Sequence, residues 1–214
     1  MKSKATVMIV DDHPLFRKGL TQLLALEDDL DVVAEFNNGL EAIDFAHHTE
    51  PDLIILDLNM PDIDGLMTTK KLRQQGTASR IVLLTVSDHE DDLLTAIEYG
   101  ADGYLLKDME PEDIVENIKQ AVLGKLALTD RLTQVLAKTW QQPKKKNTAS
   151  IDSLTNREYE ILTLLGKGMS NKLIGQRLSI SDSTVKVHVR HVLKKLDLRS
   201  RLEAALWLVE HQKH

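Results

Sequence analysis

The sequence predicts a doubly wound, five-stranded parallel α/β body over residues 1–125, joined through a linker over 126–152 to a separate small all-α domain over 153–214. Two patterns carry that expectation. In the first part, short β-branched apolar runs alternate with stretches of helical periodicity, the order of a parallel sheet covered on both faces. Beyond residue 152 the apolar period is helical throughout. Between them, residues 141–150 (QQPKKKNTAS) hold one Pro, three consecutive Lys and nothing apolar enough to pack.

Taken in order, residues 5–10 (ATVMIV) read as a buried strand, after which Phe16, Leu20, Leu23 and Leu24 recur at helical spacing. Further strands are expected at 31–36, 53–56, 81–85 and 103–106, with helical patterns at about 40–47, 65–75, 91–99 and 112–123. Leu132, Val135, Leu136 and Trp140 mark a short amphipathic helix ahead of the flexible basic segment. In the last domain, Thr155-x-x-Glu158 and Ser200-x-x-Glu203 are capping boxes, so helices start at both. The first buries Ile161, Leu162 and Leu165 and stops at Gly166 or Gly168. Ser170 caps a short second helix carrying Leu173, Ile174 and Leu178. After a tight break at Ser179-Ile180, Ser181 caps a third helix with Asp182 in its favourable first turn. The last helix runs from Ser200 to about His211.

Charge divides the same way. Residues 1–128 hold 11 Lys and Arg against 25 Asp and Glu, residues 129–150 hold 5 against 1, and residues 151–214 hold 11 against 7. An acidic body followed by a basic tail points to a polyanion partner for the tail alone. Cysteine is absent, which excludes disulfides, thiolate zinc sites, a cysteine nucleophile and iron–sulfur ligation. Lys2 and Lys4 precede a short apolar run, but Asp11 and Asp12 end it too early for a signal-peptide core. No stretch approaches the roughly 18 apolar residues of a membrane span, so a soluble, cytoplasmic protein with no membrane partner is expected.

In a doubly wound sheet, ligands sit beyond the carboxyl ends of the strands. Asp11 and Asp12 follow the first strand there, Asp57 the third, Thr85 ends the fourth and Lys107 follows the fifth. Each alone has an ordinary explanation, as a residue favouring a helix start or as a turn or loop residue. Together they put three carboxylates, a hydroxyl and an ammonium on one edge. That set suits phosphoryl chemistry. The carboxylates are oxygen ligands for Mg²⁺, and Lys107 helps neutralise an incoming phosphoryl group. Thr85 can donate to a phosphoryl oxygen, and Asp57 is the most plausible nucleophile for an aspartyl phosphate.

The third helix of the tail, DSTVKVHVRHVLKKL, buries Val185, Val189, Val192, Leu193 and Leu196. Its other face carries Ser183, Lys186, Val187, Arg190 and Lys194. A solvated charged face would look similar. The preceding short helix and tight turn nevertheless match a helix-turn-helix, and Val187 is stranded among cations. A DNA-reading helix uses both features, with Lys or Arg donating to guanine and an aliphatic group meeting the thymine methyl.

With MIVDDHP, DLIILDLNMPDIDG, IVLLTVSDHE and GADGYLLKDMEPED in this order, residues 5–125 resemble the receiver domain of two-component response regulators, a flavodoxin-like fold. The resemblance implies Asp57 as phosphoacceptor and a Mg²⁺ site made by Asp11, Asp12, Asp57 and the backbone carbonyl of Asn59. It implies that Thr85 swings toward the phosphoryl group, that Lys107 pairs with it, and that Tyr104 changes rotamer with the switch. The donor it implies is a histidine on a separate sensor kinase. Asp108 follows Lys107 where most receivers have Pro, as is frequent in the NarL/FixJ branch. LTNREYEIL, GMSNKLIGQRLSISDSTVKVHVRHVLKKL and RSRLEAA resemble the C-terminal helix-turn-helix of the LuxR/NarL/FixJ regulators over residues 153–207. Carried across, Lys186, Val187 and Arg190 meet base edges, while Ser183, Thr184, His188, Lys194 and Lys195 contact phosphates. Ala204, Ala205 and Leu208 are then candidates for a homodimer contact on promoter DNA, with ordinary core packing the alternative. RNA polymerase is a further implied partner, and nitrate or nitrite the implied stimulus.

These readings combine into a phosphorylation-controlled transcription factor, not an enzyme apart from gain and loss of phosphate at Asp57. At rest the acidic body is expected to cover the third helix, hiding Lys186 and Arg190, until phosphorylation releases it. The rival is a Mg²⁺-dependent phosphohydrolase with an Asp57 nucleophile and an accessory binding domain. Haloacid-dehalogenase-type phosphatases have a second Asp two residues after the nucleophile, and here that position is Asn59. An adaptor working through protein contacts alone leaves the basic helix face unexplained.

Overall fold

A computed structural model describes residues 4–125, 127–128 and 151–211. The five expected strands form as β1 (Ala5–Val10), β2 (Leu30–Phe36), β3 (Leu53–Leu56), β4 (Arg80–Thr85) and β5 (Gly103–Leu106), all parallel. A two-residue strand, β6 (Ala127–Leu128), which the sequence pattern did not mark, extends the sheet beyond β5. The strand order is β2-β1-β3-β4-β5-β6. The chain therefore reverses its direction of travel across the sheet between β1 and β3, which is where such folds bind ligands.

Every residue of β3 and β4 is buried, so these central strands are continuous apolar runs rather than alternating ones. The helices α1 (Pro14–Ala25) and α5 (Pro111–Leu123) cover one face, meeting Val7, Ile9, Leu53, Ile55 and Val82. The helices α2 (Gly39–Thr49), α3 (Gly65–Gln74) and α4 (Glu90–Glu98) cover the other, around Met8, Val10, Ile54, Leu56 and Tyr104. Pro opens α1 and α5, where its missing N–H costs nothing. Asn38 and Asp64 cap α2 and α3 by accepting from Glu41 N and Met67 N. Gly65 is required by packing: a Cβ there would lie 2.2 Å from the carbonyl oxygen of Asp57. Its absence lets the start of α3 press against the turn that follows β3.

The C-terminal module consists of a 3₁₀ turn (Ile151–Ser153) and four helices, α6 (Asn156–Gly166), α7 (Asn171–Leu178), α8 (Asp182–Lys195) and α9 (Arg201–His211). The Thr155/Glu158 capping box is complete, and Ser170 and Ser181 cap α7 and α8 as their positions imply. Ser179, in the left-handed conformation, makes the tight break between α7 and α8. The expected amphipathic helix at Leu132, Val135, Leu136 and Trp140 and the basic run 141–150 lie outside the described residues.

Glu158 does more than cap. It is 4% exposed, accepts from Thr155, and its Oε2 lies 2.7 Å from Lys195 Nζ at the far end of α8. Burial pushes its carboxyl up, but the bonds from Lys195 and Thr155 outweigh this and hold it down at about 2. A carboxyl with a depressed folded pKa stabilises above its unfolded value and ceases to do so as pH falls through the folded one. Glu158→Gln is therefore expected to cost the C-terminal module about 2 kcal/mol near neutrality and almost nothing near pH 2. Denaturant unfolding of the parent and variant proteins across that range, followed by circular dichroism, measures the difference.

Candidate functional site

The carboxyl ends of the strands bring Asp11, Asp12, Asp57, Thr85 and Lys107 to one edge of the sheet. Asp57 is 2% exposed and Asp11 3% exposed. Lys107 Nζ lies 2.7 Å from Asp57 Oδ2 and 2.8 Å from Asp11 Oδ2, with its charge also 4.8 Å from the centre of the Phe16 ring. Burial raises the Asp57 pKa. Lys107 and the Asn59 N–H oppose that rise, and the neighbouring Asp11 adds to it.

Asp11, Asp12 and Asp57 also face His13, and one ligand atom from each of the four lies within 4.8 Å of the others. The buried oxygens Asp12 Oδ1 and Asp57 Oδ2 accept no hydrogen bond of good geometry, although the His13 ring nitrogen lies 2.8 Å from the first and Lys107 Nζ 2.7 Å from the second. Three clustered carboxylates with open oxygens, against one lysine, suit a hard divalent cation bound through oxygen. The residues fit Mg²⁺. Asn59, in the turn beyond Asp57, donates its N–H to Asp57 Oδ1 at 3.4 Å.

Thr85 is fully buried, and its Oγ1 accepts from Ser87 N at 3.1 Å. Ser87 is held twice more: its carbonyl accepts from Tyr104 Oη at 3.0 Å and its hydroxyl bonds Asp92 at 2.5 Å. Tyr104 is fully buried with its ring turned into the core, and burial pushes its pKa up to about 12, with Asp92 and Asp88 adding to the effect against the Ser87 bond. The turn after β4 is thus tied to the Thr85 hydroxyl, to Tyr104 and to the start of α4.

The basic helix α8 packs against the opposite, amino-terminal edge of the sheet. Lys186 Nζ donates to the carbonyl of Glu50 at 2.6 Å and lies 3.1 Å from Asp52 Oδ1. Arg190 pairs with Glu50 Oε1 at 2.8 Å. Lys186 is consequently buried, whereas Val187 beside it is 40% exposed. Ser183, Thr184 and Lys194 are exposed. Lys195 is tied to Glu158, and the Nδ1 of half-buried His188 is buried with no hydrogen-bond partner. Ala204 and Leu208 pack inside the module's own core, Leu208 against Gly166, which leaves Ala205 as the accessible member of the expected dimer set. Core packing thus describes two of those three residues.

The seam between the domains continues away from α8. Gly124 meets Gly168 so closely that a Cβ on Gly124 would lie 1.4 Å from the Gly168 carbonyl oxygen. Ala78 joins the core of the C-terminal module, and Arg199 donates to the carbonyl of Glu98 at 2.6 Å. Beneath this seam Arg73 pairs with Asp102 at 2.6 Å. Burial and the nearby Arg80 lower the pKa of Arg201 well below its ordinary value.

A parallel α/β body with a phosphoryl-type acidic edge, carrying a helix-turn-helix module on its other edge, defines a class: receivers that govern a DNA-binding domain. Residues 7–119 match the response regulator receiver domain family, and residues 152–208 match the bacterial regulatory proteins of the luxR family. The chain belongs to the LuxR-type response regulators of the NarL/FixJ group, DNA-binding transcriptional regulators of two-component systems. It is 48% identical over 204 residues to the nitrate/nitrite response regulator protein NarL of Escherichia coli K12, covering 95% of this chain and 94% of that one. It is 44% identical over 206 residues to NarP of the same organism, covering 96% and 95%. Among solved structures, a LuxR-family two-component response regulator from Aurantimonas superposes with a TM-score of 0.59 at 32% identity, covering 65% of this chain and all of that one. The response regulator ChrA of a heme-sensing two-component system covers 98% of both chains, with a TM-score of 0.50 at 31% identity. No helix among the described residues is long and apolar enough to cross a membrane.

Sequence reasoning missed Glu50 and Asp52, which hold the basic helix, because partners so far apart along the chain leave no local pattern. It also missed His13, although the run Asp11-Asp12-His13 was a signal. Lys107→Met leaves Asp11 and Asp57 facing each other without their shared cation. Its stability in chelator is expected to fall by about 3 kcal/mol, and added Mg²⁺ to raise its melting temperature more than the parent's. Thermal unfolding with and without Mg²⁺ checks both.

Proposed function

We propose that this regulator is switched by phosphorylation of Asp57, and that the switch acts by freeing α8 from the rim formed by Glu50 and Asp52. The observation that supports this most is the pairing of Lys186 and Arg190 with that rim. The two cationic side chains among those expected to meet base edges are occupied by acceptors of the receiver, so the resting protein cannot present them to DNA. The phosphohydrolase reading offers no reason for a basic helix to be held in this way.

In the proposed reaction an Asp57 carboxylate oxygen attacks phosphorus of a phosphohistidine on a sensor kinase. The Oδ–P bond forms as the P–N bond breaks, and the kinase histidine leaves with a proton. Asp11, Asp12, Asp57 and the Asn59 carbonyl would hold Mg²⁺, which when bound would supply positive charge to offset that of the transferring group. Lys107 exchanges a carboxylate partner for a phosphoryl oxygen. Thr85 gives up the Ser87 N–H to donate to another oxygen. That exchange frees Ser87, and with it the acceptor of Tyr104, so the turn after β4 and the ring of Tyr104 shift together.

Once freed, α8 enters the major groove, with Lys186, Val187 and Arg190 at base edges and Ser183, Thr184, His188, Lys194 and Lys195 at phosphates. The module pairs as a homodimer on promoter DNA in the cytoplasm, with Ala205 at the contact, and engages RNA polymerase. Similarity to the two nitrate/nitrite regulators over nearly the full length supports nitrate or nitrite as the stimulus.

Acetyl phosphate with Mg²⁺ is expected to add one phosphoryl group, mapped to Asp57 by mass spectrometry, and to raise promoter affinity at least tenfold, with no gain in Asp57→Asn. Glu50→Ala combined with Asp52→Ala is expected to give a similar gain without phosphate, because both rim carboxylates that pair with Lys186 and Arg190 are gone and only the residue-50 carbonyl remains. Electrophoretic mobility shifts at fixed salt read both. Unchanged affinity in the rim variant would contradict the masking.

A further inference from the structure

We infer that His13 is a fourth side-chain ligand of the divalent cation at the acidic edge, making this a mixed nitrogen–oxygen site that favours Mn²⁺ over Mg²⁺. The inference rests on the reading of that edge as a cation site and adds to it a ligand and an ion preference.

Two features aim the ring. His13 precedes Pro14, which confines it to extended backbone, and its φ and ψ are −84° and 105°. Its own N–H donates to Asp11 Oδ1 at 2.8 Å, so the residue is tethered to the cluster it faces. Its Nδ1 then lies 2.8 Å from Asp12 Oδ1, 3.5 Å from Asp11 Oδ1 and 3.8 Å from Asp57 Oδ2. Neighbouring ligands of a six-coordinate ion with bonds of about 2.1 Å stand ~3 Å apart and opposite ones ~4.2 Å. The three separations fall within or close to that interval, with the ring nitrogen placed as one ligand among the carboxylates.

The second observation is the state of the oxygens. Asp12 Oδ1 and Asp57 Oδ2, both buried, accept no hydrogen bond of good geometry, and both lie within 3.8 Å of His13 Nδ1, with Lys107 Nζ on the other side of Asp57 Oδ2 at 2.7 Å. The His13 side chain is itself 68% exposed, so it can turn slightly to meet an ion while its other nitrogen stays solvated. Mg²⁺ gains little from exchanging a water for an imidazole, whereas first-row transition ions gain progressively more. One nitrogen in an otherwise oxygen site therefore changes selectivity more than it changes Mg²⁺ affinity.

The test uses the full-length protein with Mn²⁺ and Mg²⁺ alone, without phosphoryl donor or DNA. Pulsed electron paramagnetic resonance of bound Mn²⁺ is expected to show coupling to a ¹⁴N nucleus that disappears in both His13→Ala and His13→Gln. Calorimetric titration is expected to show Mn²⁺ binding weakened about tenfold in both variants, with Mg²⁺ binding changed less than about threefold. Mn²⁺ binding that is lost in Asp57→Asn but shows no ¹⁴N coupling in the parent overturns the inference and leaves the oxygen site standing. So does equal weakening of both ions in the His13 variants. Failure of the parent to bind either ion at this edge overturns the underlying site reading as well.

Discussion

Strand β3 is flanked by the two acidic groups on which the proposed switch depends. Asp57 follows its carboxyl end inside the carboxylate cluster, and Asp52 precedes its amino end beside Lys186. At about 3.3 Å per residue the two are ~17 Å apart, so a phosphoryl group on Asp57 touches nothing on α8. The strand is buried and rigid, and the elements around it must carry the message. The ties from Thr85 to Ser87, from Ser87 to Tyr104 and from Ser87 to Asp92 are the contacts that, in the proposed switch, a new acceptor at the site rearranges.

The closed arrangement is suited to being opened. Among the described residues its polar contacts with α8 are two ion pairs and one hydrogen bond to a carbonyl, each worth a modest net amount because the same cations are well solvated when released. Gly124 and Gly168 approach closely at the backbone, and Ala78 of the receiver joins the core of the C-terminal module. The crowding of Arg73, Arg80 and Arg201 around Asp102 leaves positive charge in excess beneath the seam. A ligand that favours the open state by a few kcal/mol is then enough to shift the population.

Much of this was legible in the sequence, for identifiable reasons. Strands β3 and β4 are buried on both faces and so read as plain apolar runs, and the Ser and Thr caps of α6, α7 and α8 are local devices with local signatures. The acidic edge was legible because parallel topology places all carboxyl ends together once the strands are known. Strand β6 escaped because two residues carry no period. Lys186 reads as an exposed residue on its own helix, and only the distant Glu50 and Asp52 bury it. Ala204 and Leu208 lie on a helix with apolar residues at its partly exposed positions, Leu202, Ala205 and Leu206, as well as at its buried ones, so spacing alone did not separate core packing from a dimer contact. His13 was overlooked because Pro14 and the Asp11 tether, not periodicity, decide where its ring points.

The chain has no cysteine, so two introduced cysteines can be spin-labelled without background. Labels at the exposed positions Gln22 and Gln176 would report the separation of the receiver and the C-terminal module through double electron–electron resonance. Phosphorylating Asp57 should replace a single narrow distance distribution by a broad and displaced one, in parallel with the gain in DNA affinity. A narrow, unshifted distribution in fully phosphorylated protein that has nonetheless gained DNA affinity would contradict release of α8 as the basis of control.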